Sequence, residues 1–331
     1  MGRFLVIRGL GAIGVLLVLI TFVFVLQSVV PGDPVRARVG ANASSATVAR
    51  ERQRLGLDRP LPAQYVSYVS DAVRGNLGQS IRTSRSVTGD VGRFLPTTLE
   101  LIIAAMVLAL VLGGLLGVAA ATASRGSGVL RTLFLSGASA PTFLLGFGLI
   151  YVFYLQLGWL PASGQASVND APDGPTRLLV IDGLLAGRPS VSVDALQHLV
   201  LPAVSLALLP AVAIGRVLRS SLIEVLEADY VRTARAKGLR PRAVLARHAL
   251  RNSMSAPLTM TGLQFGLMLG GVVVIETIFA WPGIGLYTDQ SIAAGDLPAI
   301  AGVTLVLAAI YVVINVAVDV GQAALDPRIT L

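Results

Sequence analysis

Residues 101–123 read LIIAAMVLALVLGGLLGVAAATA, twenty-three consecutive positions without a charge. A bilayer core about 30 Å thick is crossed by about 20 predominantly apolar residues of helix. A surface helix of a water-soluble domain would instead show a polar face. This run has none, so it reads as a membrane span. Outward from it, five more uncharged runs appear at about Gly9–Val30, Thr132–Leu157, Leu199–Gly215, Pro257–Ile275 and Ala299–Val318. Pro202 and Pro210 in the fourth are tolerable, because neighbouring helices can satisfy the carbonyls that proline frees. Composition agrees: 54% of residues are apolar and 13% charged, with mean hydropathy +0.75, whereas water-soluble domains carry about 25% charged residues. The expected fold is an all-α membrane protein of six transmembrane helices. Residues 1–30 form the first span, 31–96 a long extracytoplasmic loop region, and 97–331 a core of helices two to six with a cytoplasmic loop at about 220–253.

Basic residues in short loops set the orientation. One side receives Arg3, Arg8, Arg125, Arg131, Arg328 and nine basic residues between Arg216 and Arg251, fourteen against four acids. The other holds twelve, spread over two long loops, against eleven acids. Both termini are expected in the cytoplasm, and the net charge of +8 is a topology signal rather than a nucleic-acid footprint. The first run ends in QSVVPGDP without an Ala-x-Ala site, which marks an anchor rather than a cleaved secretory signal.

Several function classes lose their chemistry. The chain has no cysteine, only His198 and His248 as histidines, and no HExxH, so thiolate and zinc-hydrolase sites have nothing to build on. Lys237 is the only lysine and stands before Gly238 rather than in a GxxxxGK[ST] loop, so no Walker A nucleotide site is present. No cofactor is expected on this chain. No ionisable residue stands mid-span, which disfavours proton-coupled transport. Glu100 and Glu276, near span ends, either sit in water at the outer interface or line an outer vestibule. His198 reads as an interfacial hydrogen-bonding residue. Gly113 and Gly117 on the second span, and Gly262, Gly266 and Gly270 on the fifth, have the small-xxx-small spacing of close helix packing. Gln264 and Asn315 either hydrogen-bond between helices or face a polar path.

The segment Ser220–Ser253, SSLIEVLEADYVRTARAKGLRPRAVLARHALRNS, reads as two short helices joined at Gly238 and Pro241. Its run Thr233-Ala234-Arg235-Ala236-Lys237-Gly238 resembles the EAA-type loop of bacterial ABC importer permeases. Thr233 and Arg235 depart from the general pattern, and His248-Ala249-Leu250-Arg251 stands where that pattern has Ile-x-Leu-Pro. Asp229–Leu239 and Arg247–Asn252 match one branch along their whole length, the dipeptide/oligopeptide/nickel importers. Further matching stretches are PGDP at 31–34, LGLD at 55–58, GNLGQS at 75–80, PTTLEL at 96–101 and WPGIG at 281–285. The chain therefore resembles the B-type permease subunit of that family over nearly its full length.

The resemblance implies a non-catalytic permease of the bacterial inner membrane, carrying short peptides or, in related importers, nickel, glutathione or haem. It implies a second related permease, two cytoplasmic ATPases or one fused ATPase using ATP and Mg2+, and an extracytoplasmic substrate-binding protein. Tyr230, Val231, Arg232, Ala234, Arg235, Ala236, Lys237, Gly238 and Leu239 would form the coupling helix. Val231, Ala234 and Leu239 are expected to present an apolar contact face to the ATPase, rimmed by Arg232, Arg235 and Lys237. Membrane lipid is the other partner that a basic loop suggests. Gln264, Glu276, Trp281, Pro282 and Gly283 are candidates for the path or outer gate, with a tight turn at WPGIG. Leu61, Tyr65, Tyr68, Val69, Ala72 and Val73 place an amphipathic helix at about Pro62–Arg74, which either contacts the binding protein or seals the bundle. A stand-alone secondary transporter would show a mid-membrane carboxylate or inverted repeats, and a membrane enzyme would need converging catalytic groups. Neither pattern is seen.

Overall fold

The computed structural model describes residues 2–29, 34–40, 42–122, 141–167 and 174–325. The helices are α1 (Gly2–Val29), α2 (Pro34–Val39), α3 (Ser45–Arg54), α4 (Leu61–Val73), α5 (Val87–Thr122), and α6 (Thr142–Leu149, continued as a π-helix over Ile150–Gln156). They continue as α7 (Leu179–Leu185), α8 (Pro189–Glu227), α9 (Asp229–Ala236), α10 (Pro241–Val244, then a π-helical turn over Leu245–Ala249), α11 (Leu250–Ser253), α12 (Ser255–Ile278), α13 (Ile284–Ala293) and α14 (Leu297–Leu325). Among the described residues the isolated bridge Gln79 to Ser86 is the only β pairing.

Five of these are long and apolar enough to cross a membrane: α1, α5, α8, α12 and α14. The apolar helix Thr142–Gln156 is shorter, and the beginning of the span expected from Thr132 lies outside the described residues, as do the PGDP motif up to Asp33 and Arg125, Arg131 and Arg328. The fourth span was expected at Leu199–Gly215, but α8 runs over 39 residues, about 58 Å at 1.5 Å per residue. Both of its ends therefore outrun a bilayer core of about 30 Å. The helix that carries the second span starts at Val87, before that span, where the Ser86 hydroxyl accepts the Gly89 N–H at 3.2 Å as an N-cap.

The chain divides into two compact units, residues 1–94 with 287–312 and residues 95–286 with 313–331. In the first, α1 leaves Val6, Leu10, Val18 and Phe22 mostly exposed, as befits a helix whose solvent is lipid. Among the described side chains of α1 only Ile20 and Val23 are buried, packed with Tyr68, Val69 and Ala72 of α4 and with Ala301 and Leu305 of α14. Phe24 meets the rings of Tyr65 and Tyr68 at 5.4 and 5.6 Å. The apolar stripe of α4 is thus largely consumed by sealing, while Leu61 and Val73 stay exposed. Burial pushes the Tyr68 phenol above its ordinary range.

In the second unit α8 is the most enclosed span. Glycines let α5 approach it: a Cβ at Gly113 would lie 2.6 Å from the Ala211 carbonyl oxygen, and one at Gly117 would lie 2.8 Å from that of Gly215. The spacing on α12 is used less evenly. A Cβ at Gly262 would lie 3.2 Å from Val318 Cγ2, while one at Gly270 would meet nothing within 4 Å.

Candidate functional site

Three features of the second unit bear on function. The first is the turn between α12 and α13. The helix α12 ends at Ile278 with Phe279 as its C-cap, Ala280 takes a positive φ of 45°, and Trp281-Pro282-Gly283 leads into α13. The first amides of any helix lack intrahelical partners. Here Gly285 and Leu286 N–H donate to Glu276 Oε2 at 2.7 and 3.0 Å. Ile284 N–H donates to the Thr98 hydroxyl at 2.7 Å, and that hydroxyl donates to Glu276 Oε1 at 2.6 Å. Trp281 Nε1 donates to the Thr97 carbonyl at 3.1 Å. A carboxylate at a helix N-terminus also meets the positive end of the helix dipole.

Glu276 was expected in water or at a vestibule, and instead it is fully buried. The reason is that the three polar groups just named replace its hydration. Glu100 is half-buried rather than immersed, accepting from Gln165 Nε2 at 3.0 Å and Val180 N–H at 3.2 Å. A Cβ at Gly283 would lie 2.2 Å from Glu276 Oε1, and one at Gly285 would lie 2.7 Å from the backbone of Val273, so the two glycines of WPGIG are needed for close approach. Trp281 is buried too. His198, near the outer end of the expected fourth span, is buried with Nδ1 2.9 Å from the Asp194 carbonyl.

The second feature is a cavity of about 310 Å³ between α6, α8 and α12, lined by Thr142, Leu206, Pro210, Arg216, Gln264 and Met268 among others. Of the two roles open to Gln264, the structure puts its side chain on this cavity, with Met260 Sδ at 3.5 Å as its hydrogen-bond partner.

The third feature is the elbow. Asp229–Ala236 forms α9, and Gly238 follows it with φ +81°, a conformation that costs a non-glycine residue about 1–2 kcal/mol. Pro241 opens α10. One expectation about this elbow fails. Val231 and Ala234 are buried against Val244, Val225 and Leu226, because a short helix can hold its angle only by spending its apolar face on its neighbours. The exposed surface consists of Asp229, Tyr230, Arg232, Thr233, Arg235, Ala236, Lys237, Gly238 and Leu239, with Arg232 3.4 Å from the Asp229 carboxylate. Tyr230 is also tied to the second arm of the elbow, accepting from Asn252 Nδ2 at 3.3 Å.

Thr98, quoted only within PTTLEL, and Arg216, counted only among the basic residues, were given no role of their own from sequence. Thr98 lies 178 residues from Glu276, and no local pattern announces such a pairing. Arg216 could have been noticed as the first cation after the fourth apolar run. Among the described residues no cluster of three His, Asp or Glu side chains could hold a metal ion.

Residues 109–331 match the family of binding-protein-dependent transport system inner membrane components, and residues 1–102 match the N-terminal region of such membrane components. The chain belongs to this family. Within it, the probable D,D-dipeptide transport system permease protein DdpB of Escherichia coli K12 is 42% identical over 92% of this chain and 91% of its own length. The di/tripeptide transport system permease protein DppB of Pseudomonas aeruginosa is 42% identical over 92% of both chains. The glutathione transport system permease protein GsiC of Pectobacterium atrosepticum is 36% identical over 97% of both. As a family member with five apolar helices long enough to span, the chain is a multi-pass inner-membrane protein.

Proposed function

We infer that the chain is the non-hydrolytic permease subunit of an ATP-driven importer, forming half of a path for short peptides handed over by an extracytoplasmic solute-binding protein. The observation that carries this is the family match along nearly the whole chain, with relatives named for di- and tripeptide transport. Glutathione, itself a tripeptide, is the alternative favoured by the similarity to glutathione permeases. The reading includes six spans, cytoplasmic termini, a second related permease, and two ATPases or one fused ATPase that consume ATP and Mg2+.

In this reading the elbow docks on an ATPase through Tyr230 and Leu239, with Arg232, Arg235 and Lys237 at the rim. Anchoring aromatics and arginines are the residues that most often dominate such contacts. The elbow is held to α8 by the buried Val231 and Ala234, so ATPase closure would move it as a body and tilt α8 and α12 with it. The cavity beside Gln264 would then be part of the path, the Gln264 amide offering a partner to a peptide backbone.

The test is affinity isolation of the tagged protein in mild detergent, followed by reconstitution with co-purifying subunits and uptake of labelled dipeptide, competed by glutathione. ATP- and binding-protein-dependent dipeptide uptake is expected. A chain that purifies alone and transports without ATP overturns the reading.

A further inference from the structure

The first unit contains a short hairpin whose construction the proposed function does not use. Gln79 and Ser86 pair across it, Ser80 N–H donates to the Arg85 carbonyl at 2.9 Å, and Val87 N–H donates to that of Gly78 at 3.0 Å. Two buried carboxylates hold it from beneath. Asp296 accepts from the Ser80 hydroxyl at 2.5 Å and from Arg82 N–H at 3.0 Å, and its other oxygen accepts Ala299 N–H at 3.2 Å at the start of α14. Asp90 accepts from the Thr83 hydroxyl and, at 3.1 Å, from the Tyr287 hydroxyl. Ser80, Asp90, Tyr287 and Asp296 are all buried.

Every one of these anchors is a backbone amide or a hydroxyl. The guanidinium groups of the hairpin do none of this work. Arg82, Arg85 and, on the second turn of α5, Arg93 all remain exposed. Arg82 lies 5.1 Å over the ring of Tyr287, which stacks on Phe94 at 5.2 Å, and Arg93 lies 5.8 Å over Phe94. Each ring of one stacked pair therefore carries an exposed guanidinium. The Arg85 side chain has no hydrogen bond or ion pair among the described residues.

We propose that Arg82, Arg85 and Arg93 form a rigid docking surface for the acidic face of the extracytoplasmic binding protein. Three considerations commit the surface to that occupant. A guanidinium is a planar, bidentate partner for carboxylate, and three of them on one anchored loop and helix start need several carboxylates, more than a short peptide offers. Holding two of the groups against aromatic rings lowers the ordering cost of association. A rigid hairpin braced by buried acids also keeps its register when a partner presses on it, which a flexible basic tail does not. The proposal rests on the importer reading, since that reading puts residues 31–96 outside the cytoplasm.

The test uses the complete importer in vesicles of zwitterionic lipid and, in a parallel series, in vesicles containing anionic lipid, with the binding protein titrated and ATP hydrolysis recorded. In the triple variant Arg82→Glu, Arg85→Glu, Arg93→Glu, the half-saturating binding-protein concentration is expected to rise about tenfold at low salt while hydrolysis without binding protein is unchanged. The gap should close at high ionic strength, as expected for charge-steered association. The triple lysine variant, which keeps the charges, should lie close to the native curve. If the glutamate variant fails to assemble, Arg85→Glu alone, at a side chain the fold does not use, carries the test with a smaller rise in the same direction. Native-like half-saturation in an assembled glutamate variant overturns the docking surface. So does a loss that appears only in vesicles containing anionic lipid, which would assign the arginines to lipid phosphates. A native complex that the binding protein does not stimulate at all overturns the importer reading instead.

Discussion

The turn at Trp281–Leu286 and the elbow at Asp229–Leu239 are both short polar interruptions between helices of the second unit, and they spend their polar groups in opposite ways. In the turn, Glu276, Thr98 and the first amides of α13 satisfy one another in a buried cluster. In the elbow the apolar side chains are buried and the cations face outward. Polar groups taken out of water must be paired within the chain. Polar groups left in water by a rigid element are available to another molecule. The difference teaches that conspicuous motif residues can serve the fold while their less regular neighbours serve the partner.

The comparison is broken most severely at Glu276. Glu276→Ala strips acceptors from two amides and a hydroxyl, and an unsatisfied buried donor costs about 1–3 kcal/mol each. Loss of monodisperse protein in detergent gel filtration is the expected outcome, with Glu276→Gln intermediate because its amide oxygen can still accept. Gly285→Ala belongs with it, since its Cβ would lie 2.7 Å from the Val273 backbone and overpacking of this kind costs about 1–3 kcal/mol. Native yield and melting temperature for both would show that the turn is not held in the way described.

At the elbow the expected effect moves from stability to coupling. Arg235→Glu should leave insertion and yield intact, since Arg235 is exposed, whereas Gly238→Val, although its Cβ would meet nothing within 4 Å, puts a β-branched residue at φ +81° and should lower stability by about 1–2 kcal/mol as well. Transport per ATP hydrolysed should fall roughly tenfold, the size of a single interface hot spot. Val231→Asp sharpens the contrast by burying a charge inside the elbow, and should lower stability as well. Normal coupling in the first two at equal expression would remove the elbow from the docking surface.

Sequence pattern disclosed much of this because the largest signals are repetitive. Uncharged runs disclosed the five long apolar helices, and Gly238 with Pro241 disclosed the elbow. Small residues at Gly113 and Gly117 disclosed a helix contact that backbone geometry requires. What stayed hidden depends on pairing across long separations. Nothing around Glu276 shows that Thr98 will replace its water, so the carboxylate was placed at an interface. The direction of a short helix is equally hidden: DYVRTARA has an apolar stripe, but whether that stripe meets a partner or the chain's own α8 is decided by packing.

A smaller effect is expected at Gln264. Its amide faces the cavity and its recorded partner is a thioether at 3.5 Å, so Gln264→Leu removes little from the fold. Melting temperature should stay within a degree or two of native, since a surface-like substitution changes stability by about 0.5 kcal/mol or less. Peptide uptake should slow while ATP hydrolysis persists. Destabilisation with unchanged uptake would return Gln264 to a packing role.

The smallest effect extends the comparison to the first unit, where Tyr287 is another buried polar group serving the fold. Burial pushes its phenol from its ordinary 10.0 up to about 12, with the nearby Asp90 and Asp296 charges adding to the rise and a Ser80 hydrogen bond opposing it. The folded state thus favours the neutral phenol. Below pH 10 the group is neutral whether the chain is folded or unfolded, and it adds no pH dependence. Between pH 10 and about 12 the unfolded phenol ionises first, so stability declines as pH rises, by up to about 1.4 kcal/mol per pH unit. Tyr287→Phe has no such proton to lose. It should melt below the native protein at pH 8, having lost the hydrogen bond to Asp90, and the two melting curves should converge as pH rises past 10. Curves that stay parallel to pH 11.5 would mean that Tyr287 is already solvated in the folded state, and the anchor beneath the arginine hairpin would be looser than its hydrogen bonds indicate.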